Sequence, residues 1–149
     1  MKEEDILGEN HIATSAETPL RADAFEKSEA EKITEIEGHV RAILHTLGMD
    51  LTDDSLKGTP KRVAKMFVKE IFGGLLPERR PSMSTFNNSY HYGEMLVEKN
   101  IVVYSTCEHH LLPFFGTVDI VYQPKDGCVA GLSKFQDIVN ILSRRPQLQ

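Results

Sequence analysis

The feature that most constrains the fold is an apolar run that ends in a cluster of ionisable and metal-binding side chains. Ile101–Tyr104 is rich in β-branched and aromatic residues, which is typical of a strand. The stretch Thr106–His110 follows directly and places one thiol, one carboxylate and two imidazoles in four consecutive residues. The chain must therefore fold so that a strand end carries these groups into a loop, where functional side chains are often found.

This cluster favours a zinc site. Thiolate and neutral imidazole are ligands that zinc prefers, and Cys107 and His110 have a Cys-x-x-His spacing that lets one turn hold one ion. A catalytic zinc needs three protein ligands, and the sequence does not plainly supply the third. The alternative is a buried cysteine beside two surface histidines. Adjacent histidines together with Glu108, at the boundary between a strand and a loop, favour the site.

Length and composition indicate one globular domain. The chain has 149 residues, of which 40% are hydrophobic and 26% charged. It lacks an apolar run of about 20 residues, which a transmembrane helix needs, and its acidic start lacks the apolar centre of a signal peptide. Two cysteines favour a reducing environment with thiols used for metal binding or chemistry, so we expect a cytoplasmic protein that does not bind a membrane.

The negative charge is concentrated at the beginning of the chain. Residues 1–35 carry ten acids against four bases, whereas residues 36–149 have a net charge of +1. The body can therefore hold an anionic ligand, but it lacks the basic excess of a nucleic-acid-binding protein. Residues 1–27 are polar and aperiodic, which predicts a flexible arm or a segment that orders only against a partner subunit.

Two helices are predicted before residue 75. The first begins at Ser28, which forms a capping box with the glutamate three residues later, and it ends near Gly48. The second begins at Thr59 as N-cap, with Pro60 in the first helical position, and it ends at Gly73–Gly74.

Two groups of side chains could hold phosphate. Arg62 and Lys65 project together from the second helix, although such a charged face is usually only solvated. Ser133 is a good N-cap for a last helix that carries Lys134 in its first turn, which places a hydroxyl, free N–H groups and an ammonium together. The alternative at this second position is a capped helix with an exposed lysine.

The remaining pattern predicts strands. Residues 75–93 should form a long loop, residues 95–105 a strand, residues 117–122 a second strand, and residues 128–131 a short extended piece. The first two strands are close enough in sequence to pair antiparallel, which makes the chain an α+β protein.

Four stretches together resemble the GTP cyclohydrolase I family. They occur in the family's order and with nearly its spacing, and they span most of the chain after the arm. The matching stretches are Gly58–Met66, Ser105–His110, Gly131–Lys134 and Arg145–Gln147.

The resemblance implies a tunnelling fold (T-fold), an antiparallel sheet with helices on one face, preceded by an N-terminal helical segment. It implies a flexible arm over 1–27 and a family domain over 28–149, with N-terminal helices over 28–74 and a partial T-fold over 94–149. The family continues beyond this point, so we expect a C-terminally truncated member that lacks the last part of the fold. The family forms ring-shaped homo-oligomers, decamers among them.

The resemblance also implies a zinc-dependent reaction on GTP. Water adds to C8 of the guanine, the imidazole ring opens, and the carbon leaves as formate; rearrangement and ring closure then give 7,8-dihydroneopterin triphosphate. This is the first step of tetrahydrofolate and pterin synthesis. Cys107 and His110 match two of the three zinc ligands, and His109 matches a residue that transfers protons. The residues that match substrate-binding positions are Arg62, Lys65, Ser133, Lys134 and Gln149.

Two departures from the family leave an alternative open. The third zinc ligand of the family is a cysteine beyond the end of this chain, and Cys128 is not expected to replace it. Asp137 stands where the family usually has a phosphate-binding arginine, and a carboxylate there should repel triphosphate. The alternative is a non-catalytic relative that binds zinc or nucleotide, or that joins the ring of a full-length enzyme. A third possibility is a gene product without function.

Overall fold

Two helices precede the strands, and a third helix lies between the last two strands, in the computed structural model, which describes residues 18–125 and 127–148. The mixed α+β class is confirmed. The principal elements are α1 (Glu29–Thr46), α2 (Thr59–Met66), β1 (Thr85–Asn87), β2 (Leu96–Cys107), β3 (Pro113–Tyr122), β4 (Cys128–Ala130), α3 (Leu132–Ser143) and β5 (Pro146–Gln147). Within the described ranges, no helix is both long and apolar enough to cross a membrane.

The start of α1 is as predicted. The backbone N–H of Glu31 donates to Ser28 Oγ at 3.3 Å, and the backbone N–H of Ser28 donates to Glu31 Oε2 at 2.8 Å. This reciprocal pair satisfies two of the N–H groups that the first turn of a helix leaves open. The helix ends at Thr46, and Gly48 adopts the left-handed φ of 80° that favours glycine.

Residues 18–27 lie against α1. Lys32 Nζ donates to the carbonyl oxygen of Ala24 at 2.8 Å and lies 5.8 Å from the centroid of the Phe25 ring. The rest of the predicted arm, residues 1–17, lies outside the described residues, and the domain boundary at residue 27 stays a prediction.

The second helix differs from prediction at both ends. Its N-cap is Gly58, so the prediction of Thr59 as N-cap is wrong. The Thr59 hydroxyl instead accepts a hydrogen bond from Arg62 Nη2 at 2.7 Å. After Met66 the chain widens into a π-helical turn over Phe67–Ile71 before it reaches the predicted glycine pair.

Gly74 joins the helical part of the chain to α3. Its N–H donates to the carbonyl oxygen of Arg144 at 2.9 Å, and its own carbonyl oxygen accepts from Arg145 Nε at 2.8 Å. A Cβ atom at Gly74 would lie only 2.0 Å from the carbonyl oxygen of Ile141. The close approach of two backbones therefore requires glycine here.

The main sheet is built on the hairpin of β2 and β3, which pair antiparallel as predicted. The observed pairing runs from Leu96 opposite Tyr122 to Thr106 opposite Pro113. Both strands extend further toward the connecting loop than the hydrophobic pattern indicated. β5 pairs parallel with the end of β2, so that the strand order is β3–β2–β5.

A second, smaller sheet joins β1 and β4, with Phe86 opposite Val129. The prediction of one continuous loop over residues 75–93 is therefore wrong. Three residues are too few for an alternating pattern, and the partner strand lies far along the chain, so sequence pattern carries little signal here.

The core lies between α3 and the β2–β3 hairpin. Ile101, Phe135 and Val139 form its buried centre, and the Tyr122 ring lies 4.9 Å from that of Phe135. Burying these side chains stabilises the fold by about 1.5–3 kcal/mol each.

The last helix begins two residues earlier than predicted. Gly131 has extended backbone angles and is the N-cap, so the prediction of Ser133 as N-cap is wrong. Ser133 instead lies exposed in the first turn of α3.

We expect Gly74→Ala to destabilise the fold by about 3 kcal/mol, because the new methyl group overlaps the backbone of α3. Gly93→Ala is the matched control, since a Cβ at Gly93 meets nothing within 4 Å. Denaturant unfolding followed by circular dichroism measures both variants. Equal midpoints for the two variants would contradict the close-approach argument.

The capping box of α1 predicts a pH dependence. Hydrogen bonds from the Ser28 hydroxyl and backbone N–H lower the pKa of Glu31. A lowered carboxyl pKa stabilises the folded state above the ordinary pKa of glutamate, and this contribution is lost as the pH falls through the folded value. At pH 7 the melting temperature of wild type should therefore be higher than that of Glu31→Gln. The difference between the two melting temperatures should disappear below about pH 4. Thermal melts over this range test it; a constant gap would be the contrary result.

Candidate functional site

The loop between β2 and β3 carries the cysteine and histidine cluster. Two backbone hydrogen bonds close it: the N–H of Leu111 donates to the carbonyl oxygen of Cys107 at 2.9 Å, and the N–H of Cys107 donates to that of Leu112 at 2.8 Å. Leu111 has a φ of 56°, a left-handed conformation that is uncommon for leucine. The loop is thus a tight turn with Cys107 at its base.

His109 lies between a thiol and a carboxylate. Its Nδ1 is 3.9 Å from Cys107 Sγ, and its Nε2 is 4.0 Å from Glu108 Oε1. Cys107 is buried and Glu108 is half-buried, whereas both histidines are exposed. The arrangement leaves an imidazole accessible to a ligand while its two nitrogens face groups that can exchange protons.

The strand β5 holds the base of this loop. Cys107 lies opposite Gln147 in the parallel pairing, and the N–H of Glu108 donates to the carbonyl oxygen of Gln147 at 2.9 Å. The buried hydroxyl of Ser105 donates to the carbonyl oxygen of Ser143 at 2.7 Å. Sequence reasoning did not predict β5, because a strand of two residues has no periodicity to detect.

The donor set fits zinc in chemistry but is incomplete. A thiol and imidazoles in one turn are suitable zinc ligands. The contact of Cys107 is with His109, and within residues 18–125 and 127–148 no three His, Cys, Asp or Glu side chains are grouped to hold a metal. Cys128 is exposed on β4, in the smaller sheet. The assignment of Cys107 and His110 as ligands stays a prediction.

The first pair of phosphate candidates lies on α2. The Arg62 guanidinium donates through Nη2 to Thr59 Oγ1 and, at 3.1 Å, to the carbonyl oxygen of Ser55. Lys65 is exposed on the same helix. Because both partners of Arg62 are neutral oxygens, the positive charge of its guanidinium is not cancelled by them.

The second pair lies at the beginning of α3. Lys134 Nζ donates to Asp137 Oδ2 at 3.0 Å, so a carboxylate on the same helix contacts a predicted phosphate ligand. Ser133 and Ser143 stand near opposite ends of α3, about 15 Å apart at 1.5 Å per residue. Ser143 contacts the end of β2, so the start of α3 lies away from the His109 loop. Gln149 lies outside the described residues.

The two cysteines should differ in the rate at which their thiols react. Cys128 is exposed and Cys107 is buried, so a thiol reagent should modify Cys128 quickly and Cys107 slowly. The rates can be measured with Ellman's reagent on Cys107→Ala and Cys128→Ala, and both thiols should react at once in denaturant. Equal native rates for the two variants would contradict the described burial.

The comparisons with known proteins agree with one another. The family model described as GTP cyclohydrolase I matches residues 36–149. The chain is 60% identical over 145 residues to a GTP cyclohydrolase 1 from Flavobacterium johnsoniae, an alignment that covers 97% of this chain and 65% of the relative.

More distant relatives give the same result. A GTP cyclohydrolase 1 from Aeromonas salmonicida is 47% identical, with 92% of this chain and 62% of the relative aligned. One from Yersinia pseudotuberculosis is 42% identical, with 99% of this chain and 66% of the relative aligned. The chain thus spans slightly less than two thirds of the length of these curated relatives. Identity of this extent, together with the match over most of the domain, shows that the chain belongs to the GTP cyclohydrolase I family.

Proposed function

We propose that this chain forms part of a GTP cyclohydrolase I, which opens the imidazole ring of the guanine in GTP to give 7,8-dihydroneopterin triphosphate and formate. The observation that carries the proposal is the 60% identity over nearly the whole chain to a protein of that name. The exposed imidazole between a thiol and a carboxylate is consistent with hydrolytic chemistry at this position.

The proposal includes a zinc ion held by Cys107 and His110. The closed turn places both residues in one loop, and burial of the thiol at its base would protect the bond to the metal from exchange. The third ligand is unidentified among the described residues. The chemistry that zinc supplies when bound is Lewis acidity, which lets water ionise near neutral pH.

His109 is the proposed proton-transfer residue. An imidazole has an unperturbed pKa of about 6.5 and can both accept and return a proton at neutral pH. Glu108, 4.0 Å from Nε2, can stabilise the imidazolium and orient the ring. His109 can take the proton of the attacking water and deliver it to the ring nitrogen as the bond to C8 breaks.

The triphosphate is assigned to the cationic and hydroxyl groups on two helices. A guanidinium binds phosphate oxygens in a bidentate way, and an ammonium adds a point charge, so together they orient the guanine relative to the catalytic loop. Gln149 is proposed to contact the substrate as well. The proposed phosphate ligands are Arg62, Lys65, Ser133 and Lys134.

A T-fold ring of identical subunits is proposed as the assembly. Tyr104 and Phe115 lie opposite each other on the outer face of the hairpin, and they are 72% and 81% exposed. β3 lies at the edge of its sheet within the described residues. An exposed apolar face beside an open strand edge is typical of a subunit contact. The length of α3 also supports an assembly, because it keeps the start of the helix away from the His109 loop of its own chain. A neighbouring subunit could bring the phosphate ligands of its α3 to that loop. A cytoplasmic location stays a prediction.

A non-catalytic nucleotide-binding relative is the second candidate. The Lys134–Asp137 ion pair favours it, because it places a negative charge among the groups proposed to hold triphosphate. Binding of GTP without release of formate would distinguish this candidate from the enzyme.

The direct test combines metal content and turnover. The purified chain, supplied with zinc, should release one formate per pterin formed from GTP. His109→Asn should lower kcat by about 100-fold or more with zinc content unchanged, because it removes the proton-transfer group. Cys107→Ala should lose zinc as well as activity.

His39→Asn is the matched control, since His39 is exposed on α1, a helix that packs chiefly against α2. Equal turnover by wild type and His109→Asn would exclude the proposed role of His109. Tight GTP binding by a zinc-loaded chain that releases no formate would overturn the enzyme proposal.

A further inference from the structure

Lys134 is held by its own helix. Its ammonium lies 3.0 Å from the Asp137 carboxylate, one helical turn further along α3. Side chains three residues apart on a helix lie on the same side, so this pairing follows from the position of the two residues. The side chain of Lys134 is 29% exposed and that of Asp137 47% exposed, so a ligand can approach both.

The Lys134–Asp137 pair lies near the N-terminus of α3, where a carboxylate opposes the binding of an anion. The N-terminus of a helix favours anions, because its N–H groups are open and the helix dipole is positive there. Gly131 caps α3 without a side-chain hydrogen bond, and Ser133 is exposed in the first turn. Asp137 adds a negative charge to this site and occupies the ammonium that an incoming phosphate would contact.

We propose that Asp137 is an internal competitor of the substrate's phosphate for Lys134, and that it sets the affinity of the site for triphosphate. The ammonium has three N–H donors and the structure gives Asp137 one contact with it, so the carboxylate competes chiefly by offsetting the positive charge that a phosphate oxygen would meet. The inference rests on the proposed function only in assigning Lys134 to the triphosphate.

The competition should weaken binding without abolishing it. A solvent-exposed ion pair between lysine and aspartate is weak, so a ligand with several negative charges can displace the carboxylate. Removing the charge of Asp137 frees the ammonium and also removes a repulsion. We expect these two effects to tighten binding about tenfold at low ionic strength, and less at high salt.

Calorimetric titration with inorganic triphosphate and with GTP tests the proposal. Asp137→Asn keeps the size of the side chain and should bind both ligands about tenfold more tightly than wild type. Glu37→Gln is the matched control, because Glu37 forms a comparable ion pair with Arg41 on α1, at 3.4 Å. This control should bind like wild type.

A double-mutant cycle tests the mechanism. Lys134→Ala should weaken binding, and Asp137→Asn should tighten binding much less in the Lys134→Ala background than in wild type, because only the direct repulsion is then relieved. Equal tightening in the presence and absence of Lys134 would overturn the competitor role. Absence of binding by every variant would also overturn it. Weaker binding by Asp137→Asn only when Mg²⁺ is present would overturn it too, because Asp137 would then be a metal ligand.

The formate assay separates this proposal from the proposed function. Tighter binding by Asp137→Asn without formate release would support the competition and overturn the enzyme. Formate release by wild type, together with unchanged affinity in Asp137→Asn, would support the enzyme and overturn the competition.

Discussion

The structure of the candidate site depends on the short parallel pairing of β5 with the end of β2. This pairing fixes the backbone on both sides of Cys107, because Gln147 lies opposite Cys107 and accepts the N–H of Glu108. β5 follows directly after α3, and the end of α3 is held by the backbone of Gly74. The Cys107–Leu112 loop is therefore positioned by three segments that are distant in sequence, and a change in any one of them reaches the loop through main-chain hydrogen bonds.

The parts of the fold that could be predicted are those with local physical signals. The capping box at Ser28 and the two apolar strands on both sides of the Cys107 loop were found from the sequence, because each signal lies within a few residues. The strands β1 and β5 were not found, because two or three residues carry no period and their partners are distant. The N-caps of α2 and α3 were each displaced, because glycine in extended or turn conformation leaves no side-chain signature.

The candidate site was predictable in its chemistry but not in its arrangement. A thiol and imidazoles in one turn favour a metal site because of the ligand types themselves, and the zinc assignment stays a prediction. Spacing could not show that Cys107 contacts His109, or that Lys134 is paired with Asp137. Nor could it show that α3 separates Ser133 from the loop, because that distance follows from the helix lying along the sheet rather than from any motif.

The two proposed phosphate-binding helices differ in how much positive charge they can offer. Arg62 is oriented by the Thr59 hydroxyl and by a backbone carbonyl, which are neutral acceptors that fix its direction and leave its charge in place. Lys134 is oriented by a carboxylate, which cancels its charge at the same time. On the proposed assignment, α2 is therefore the stronger electrostatic partner for a triphosphate, and α3 would contribute mainly a hydroxyl and the dipole of its first turn. Because an ammonium paired with a carboxylate is worth less to an anion than an unpaired one, the single residue at position 137 shifts the balance between the two helices without changing the fold of either.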